Sequence, residues 1–120
     1  MSEVKDLEEG MQRVIKFLQE NGIGLRLSDD EDNYIDHHRV EIVVSKNQTK
    51  EHQLYTMLHE LGHYFLEPGF DVNSPVATII EEVLAWDRGR DIAEALGITI
   101  DENSWNLLME ESITQYLEEY

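Results

Sequence analysis

Two histidines four residues apart flank a glutamate in the stretch His59-Glu60-Leu61-Gly62-His63. On an α-helix residues at i and i+4 lie on one face, so both imidazoles can reach one metal ion, with Glu60 beside them. In metal-dependent hydrolases of this pattern the two His hold Zn²⁺ and the Glu is the general base for the attacking water. A catalytic zinc takes three protein ligands and keeps one position open, so the pair demands a third ligand from elsewhere in the chain. Gly62 sits inside the same helical run, where glycine costs about 1 kcal/mol relative to alanine. Its presence predicts the close approach of another element or of a substrate.

The next acidic pair downstream, Glu81-Glu82, is the candidate source of that ligand. Adjacent residues on a helix point about 100° apart, so one of the two can face the metal squarely; the apolar pattern around them leaves both open. Other polar residues carry weaker signals. His52 stands seven before His59, on the same stripe but about 10 Å along the helix, which reads as a surface histidine. His37-His38 precedes a strand, where neighbours point to opposite faces. Glu67 could hydrogen-bond an imidazole. Tyr64, Tyr116 and Tyr120 are candidate oxyanion donors, with a core or rim role as the simpler reading.

Several elements must position these residues. Val4, Leu7, Met11, Val14, Ile15 and Leu18 recur at helical spacing, which predicts an amphipathic helix over 3–20 closed by Asn21-Gly22. Ile23 to Leu27 alternate as a short strand, and Ser28 to Asn33 form a polar turn. Arg39 to Val44 is β-branched and reads as a second strand, with a partner near Tyr34-Ile35. Ser45 and Gln48 have capping-box spacing and predict a helix to about Leu66, with Leu54, Met57, Leu58, Leu61 and Phe65 as its buried stripe. Pro68-Gly69 breaks it. Ser74-Pro75 starts the next helix, which ends near Leu96-Gly97. Asp101 or Asn103 caps a last helix carrying Trp105, Leu108, Met109, Ile113, Tyr116 and Tyr120. No repeat or linker divides the chain, so residues 1–120 read as one small α+β domain: an N-terminal helix, a short antiparallel sheet, the motif helix and two more helices.

Composition narrows the chemistry. There is no cysteine, so a metal must be held by His and carboxylate, and the absence fits a cytoplasmic protein. Nine Lys and Arg face 26 Asp and Glu, a net charge of −17. That excludes direct nucleic-acid binding, which needs a basic surface. No run of 18 apolar residues is present to span a membrane, and the N-terminus has no signal-peptide pattern.

A strand, then a helix with His-Glu-Leu-Gly-His, then a helix with Glu82-Val83-Leu84-Ala85 followed by Trp86, resembles the ImmA/IrrE-like metallopeptidases over roughly residues 40–96. The resemblance implies a zincin-like fold, with Glu82 as the third zinc ligand beside His59 and His63, and Glu60 as the catalytic base. Ala85-Trp86-Asp87-Arg88-Gly89 departs from the family's usual Ala-Asn-x-Phe-Ala. The function implied is zinc-dependent endopeptidase action on a protein or peptide substrate, with an extended segment adding to a sheet edge at Val40 to Val44. Small stand-alone forms of this kind are expected in phage and mobile-element genes. The other function compatible with this charge is a catalytically silent zincin scaffold whose acidic surface occupies a host regulatory or nucleic-acid-binding protein.

Overall fold

A computed structural model describes residues 7–29, 33–36, 38–65 and 75–119. Four helices and three strands follow in the order α1 (Leu7–Glu20), β1 (Gly24–Ser28), β2 (Tyr34–Asp36), β3 (Glu41–Ser45), α2 (Lys50–Tyr64), α3 (Pro75–Ala95) and α4 (Glu102–Glu119). The α+β class holds, with the N-terminal helix before a small sheet and three helices after it. No helix among the described residues is long and apolar enough to cross a membrane.

The sheet corrects one expectation. Its order is β1-β3-β2, with β1 parallel to β3 and β2 antiparallel to it. It is therefore mixed rather than antiparallel, and β3 is the central strand. The Val40 to Val44 segment is not an edge that a substrate could extend. Its β-branched run marks a strand wherever it lies in the sheet; Ile42, Val43 and Val44 are fully buried because neighbours cover both sides. The strand also starts later than the β-branched run, because Val40 has φ 52°. A β-branched residue in the left-handed region cannot continue a strand; Val40 instead ends the turn and accepts the Gly24 amide at 2.8 Å.

Helix α2 begins at a different cap from the expected one. Thr49 is the N-cap, its hydroxyl accepting the His52 amide at 3.1 Å. Ser45 belongs to β3, in register with Ser28 of β1, and its hydroxyl accepts the Asn47 amide instead. The capping-box reading of Ser45 and Gln48 fails because the strand consumes Ser45 before a helix can start. At the other end α2 stops at Tyr64, and Leu66 to Ser74, including Glu67 and Pro68-Gly69, lie outside the described residues.

The core forms where α2 crosses the molecule. Leu54, Met57, Leu58 and Leu61 are buried as expected, while Phe65 is exposed. Tyr55, Thr56, Glu60 and Gly62 are buried as well, so α2 is covered on nearly all sides. Its closest neighbour is α3, and two glycines explain the approach. A methyl group at Gly62 would collide with the Ala85 carbonyl, and one at Gly89 would lie 2.7 Å from the Leu58 carbonyl oxygen. Each helix offers a glycine to the other's backbone, which accounts for the unfavourable Gly62 in the motif. Helix α4 is capped by Asp101, whose side chain accepts the Asn103 and Ser104 amides. It is anchored by Trp105, fully buried and edge-on to both Tyr55 and Trp86.

Candidate metal centre

Helix α2 presents His59 and His63 on one face, their rings 4.6 Å apart between centroids. Helix α3, held close by the paired glycines, brings Glu82 across from them. One Glu82 oxygen, Oε1, lies 2.7 Å from His59 Nε2, and the other, Oε2, is 3.0 Å from His63 Nε2. The carboxylate thus spans both imidazoles and is 3% exposed. Glu81 points away: its side chain is 39% exposed and approaches only His63 Nδ1, at 3.7 Å. The structure therefore brings Glu82, not Glu81, between the two rings. Glu60 is buried beside them, and one ligand atom from each of His59, Glu60 and His63 falls within a 4.8 Å cluster.

The electrostatics follow from burial in a crowded site. Desolvation lowers the pKa of His59, more than the neighbouring Glu82 charge raises it. At His63 burial acts the same way, but the Glu82 hydrogen bond and the charges of Glu82, Glu60 and Glu81 outweigh it, and the pKa rises. Burial would raise Glu82; the imidazoles and the Ser112 hydroxyl overcome it and hold the carboxyl well below its usual range. At Glu60 no hydrogen bond offsets burial, and the charges of His63 and Glu82 act in opposite directions. Desolvation dominates and pushes it up to about 7.

Two polar atoms test whether a cation fits. His59 Nε2 is buried and faces the Glu82 oxygen at 2.7 Å without a well-formed hydrogen bond. Glu60 Oε2 is buried and unbonded too. Unpartnered buried polar atoms are costly, and here they converge with an anionic carboxylate and a second imidazole. Two imidazoles and a carboxylate form the His₂Glu set suited to a tetrahedral divalent ion. The residues fit a metal.

His59 is also held from behind. Its ring stacks on Trp86 at 4.1 Å and 10°, and Trp86 meets Trp105 edge-on. The site opens into a cleft of about 560 Å³. Asn33, Gln48, His52 and Thr56 line it together with Leu108, Glu111, Ser112 and Gln115 of α4. Asn33 is fixed there by exchanging amide hydrogen bonds with Gln48 and by accepting the Ser45 amide at 2.7 Å.

A family model for the IrrE N-terminal-like domain, peptidase M78, matches residues 16–86. The chain belongs to this family. No match was found among curated proteins or among solved structures. Membership in the M78 family marks a zincin-type metallopeptidase domain, and the His-Glu-His group is compatible with a bound metal ion. The M78 segment runs from within α1 to Trp86; the rest of α3 and all of α4 lie beyond it.

Other residues singled out in the sequence fare differently. His52 lines the cleft rather than open surface. His38 is exposed, its amide bonded to Asp36, and is not part of the cleft. Tyr64 packs edge-on against Phe65 away from the cleft lining. His37, Glu67 and Tyr120, and the side chain of Tyr116, lie outside the described residues. Trp86 and Ser112 were missed as site residues. Trp86 was visible only as an aromatic after the glutamate, and Ser112 only as a serine on the apolar face of the last helix.

Proposed function

We propose that this M78 chain is a zinc-dependent endopeptidase in which His59, His63 and Glu82 hold the ion and Glu60 is the general base. The observation that carries the reading is the Glu82 carboxylate spanning His59 and His63 at 2.7 and 3.0 Å, with buried Glu60 alongside. Zinc, when bound there, supplies a Lewis acid that polarises the scissile carbonyl and makes water acidic enough to be activated near neutral pH. Glu60 would accept a proton from the attacking water and deliver it to the leaving amine. Its burial suits that task, because a carboxylate withdrawn from water and left with an unbonded oxygen is a readier proton acceptor than an exposed one. Trp86, stacked on His59, fixes the ring plane.

The substrate in this reading is an extended segment of a protein. Central β3 offers no free edge, but β2 is a terminal strand of the sheet, and Asn33 immediately before it lines the cleft. A peptide adding alongside β2 would run into the cleft. A quenched-fluorescent unfolded protein tests the proposal. Wild type should cleave it and be inhibited by a chelator, while Glu60→Gln should keep its metal and lose cleavage by at least about 100-fold. A Glu60→Gln variant as active as wild type would overturn the peptidase reading and favour the binding role of the acidic surface.

A further inference from the structure

The metal-binding half of the site is drawn from α2 and α3, yet its shortest hydrogen bond to Glu82 comes from α4. Ser112 Oγ donates to Glu82 Oε1 at 2.6 Å. Helix α4 lies beyond the segment that matches the family, so this contact belongs to the part of the chain that the family resemblance does not cover. We infer that Ser112 is a positioning residue for the metal centre: its hydroxyl orients the Glu82 carboxylate toward the two imidazoles. The inference rests on the metal-centre reading above.

Local structure explains why a serine is delivered there. Trp105, seven residues before Ser112, is fully buried against Tyr55 and Trp86. Residues seven apart share a helix face, two turns along. The Asp101 amide donates to Tyr55 Oη at 2.8 Å and sets the height at which α4 begins. Trp105 and this bond fix the rotation and register of α4 against α2 and α3. The face that carries Trp105 and Leu108 inward then reaches Glu82 with a hydroxyl rather than another methyl. A carboxylate oxygen with a fixed donor has fewer orientations to lose when it binds a cation, and partners of this kind alter metal affinity by about 10- to 100-fold.

Zinc affinity, measured by competition with a chromophoric chelator at fixed pH, tests this without reference to turnover. Ser112→Ala should weaken Zn²⁺ binding by about tenfold while leaving the helical circular dichroism unchanged. Ser112→Thr, which keeps the hydroxyl, should stay within about threefold of wild type. Gln115→Ala, on the same cleft wall without a bond to Glu82, should not change affinity. In a Glu82→Gln background the Ser112→Ala change should have no further effect, because the hydroxyl acts through that carboxylate. Ser112→Ala binding as tightly as wild type would overturn the assignment. So would a full additional loss in the Glu82→Gln background, which would mean that α4 acts by packing alone. Wild type that binds no zinc would remove the metal centre and this inference together, whereas tight wild-type binding indifferent to Ser112 would remove only the latter.

Discussion

Glu60 carries the cost of a buried carboxyl. The residue is 5% exposed, one carboxyl oxygen is unbonded, and desolvation pushes its pKa up to about 7. The folded state therefore favours the protonated acid. For a raised carboxyl the stabilisation is fully present below the unfolded pKa of 4.5 and is lost as pH rises through about 7. In chelator-treated protein, Glu60→Gln should match wild type at pH 4 to 5. At pH 8 it should exceed wild type by roughly 1–3 kcal/mol in urea unfolding. A wild-type advantage at pH 8 would mean that Glu60 is stabilised by its surroundings and not strained by them. Glu82 and Glu81 make the opposite pair: one spans two imidazoles in the interior and the other faces solvent. Glu82→Gln should weaken zinc binding by well over tenfold, and Glu81→Gln should leave it within about twofold, read by the same chelator competition. The histidine pair and its glutamate were legible from spacing alone, because i and i+4 positions need no knowledge of the rest of the fold. The choice of Glu82 was not, since it depends on the rotation of α3 against α2. Only the likeness to a family pointed to it.

Helix against helix, the decisive device is the glycine pair. Gly62 and Gly89 let α2 and α3 touch backbone to backbone, and that distance brings Glu82 within reach of both imidazoles. Gly62→Ala should destabilise the protein by roughly 3 kcal/mol in denaturant unfolding, although alanine is the better helix former by about 1 kcal/mol. It should also weaken metal binding, because α3 must move outward. A stabilised Gly62→Ala variant would show that the contact gives way without cost. At the start of α2, Thr49→Ala should cost about 1 kcal/mol and Ser45→Ala should not act through the helix cap; equal helix-end fraying in the two by hydrogen exchange would contradict the observed cap. The two hydroxyls look alike in the sequence. Which one caps the helix is decided by how far β3 pairs with β1, a contact made with Gly24 to Ser28 far upstream. The same kind of long-range pairing put β3 in the centre of the sheet, where a local pattern of β-branched residues could not say how many neighbours it would have. Gly62, by contrast, announced a close approach through its poor helix propensity, and the approach is there.

Over the whole molecule the net charge of −17 sets the background. Several of the few cations are already engaged at the surface: Arg26 with Glu41, Lys46 with Asp29, Lys50 with Glu8 and Arg90 with Glu102. Such exposed pairs contribute little, and the remaining carboxylates repel one another. Helix α4 shows the imbalance most plainly, with Glu102, Glu110, Glu111, Glu118 and Glu119 and no Lys or Arg. Self-repulsion opposes the compact state and is screened by salt. The melting temperature should therefore rise by roughly 2–5 °C between low and high monovalent salt, the reverse of a protein held together by surface ion pairs; a fall would identify the ion pairs as the larger contribution.

The stack of His59 on Trp86, with Trp105 edge-on behind it, has an optical consequence. These are the chain's two tryptophans. Light emitted on selective tryptophan excitation therefore originates entirely within two ring contacts of His59. A cation held by the imidazole sets positive charge against the face of the stacked indole, and indole emission responds to charge at that range. The protein carries its own lamp beside the motif, and its brightness should report what the first histidine holds without any label being attached.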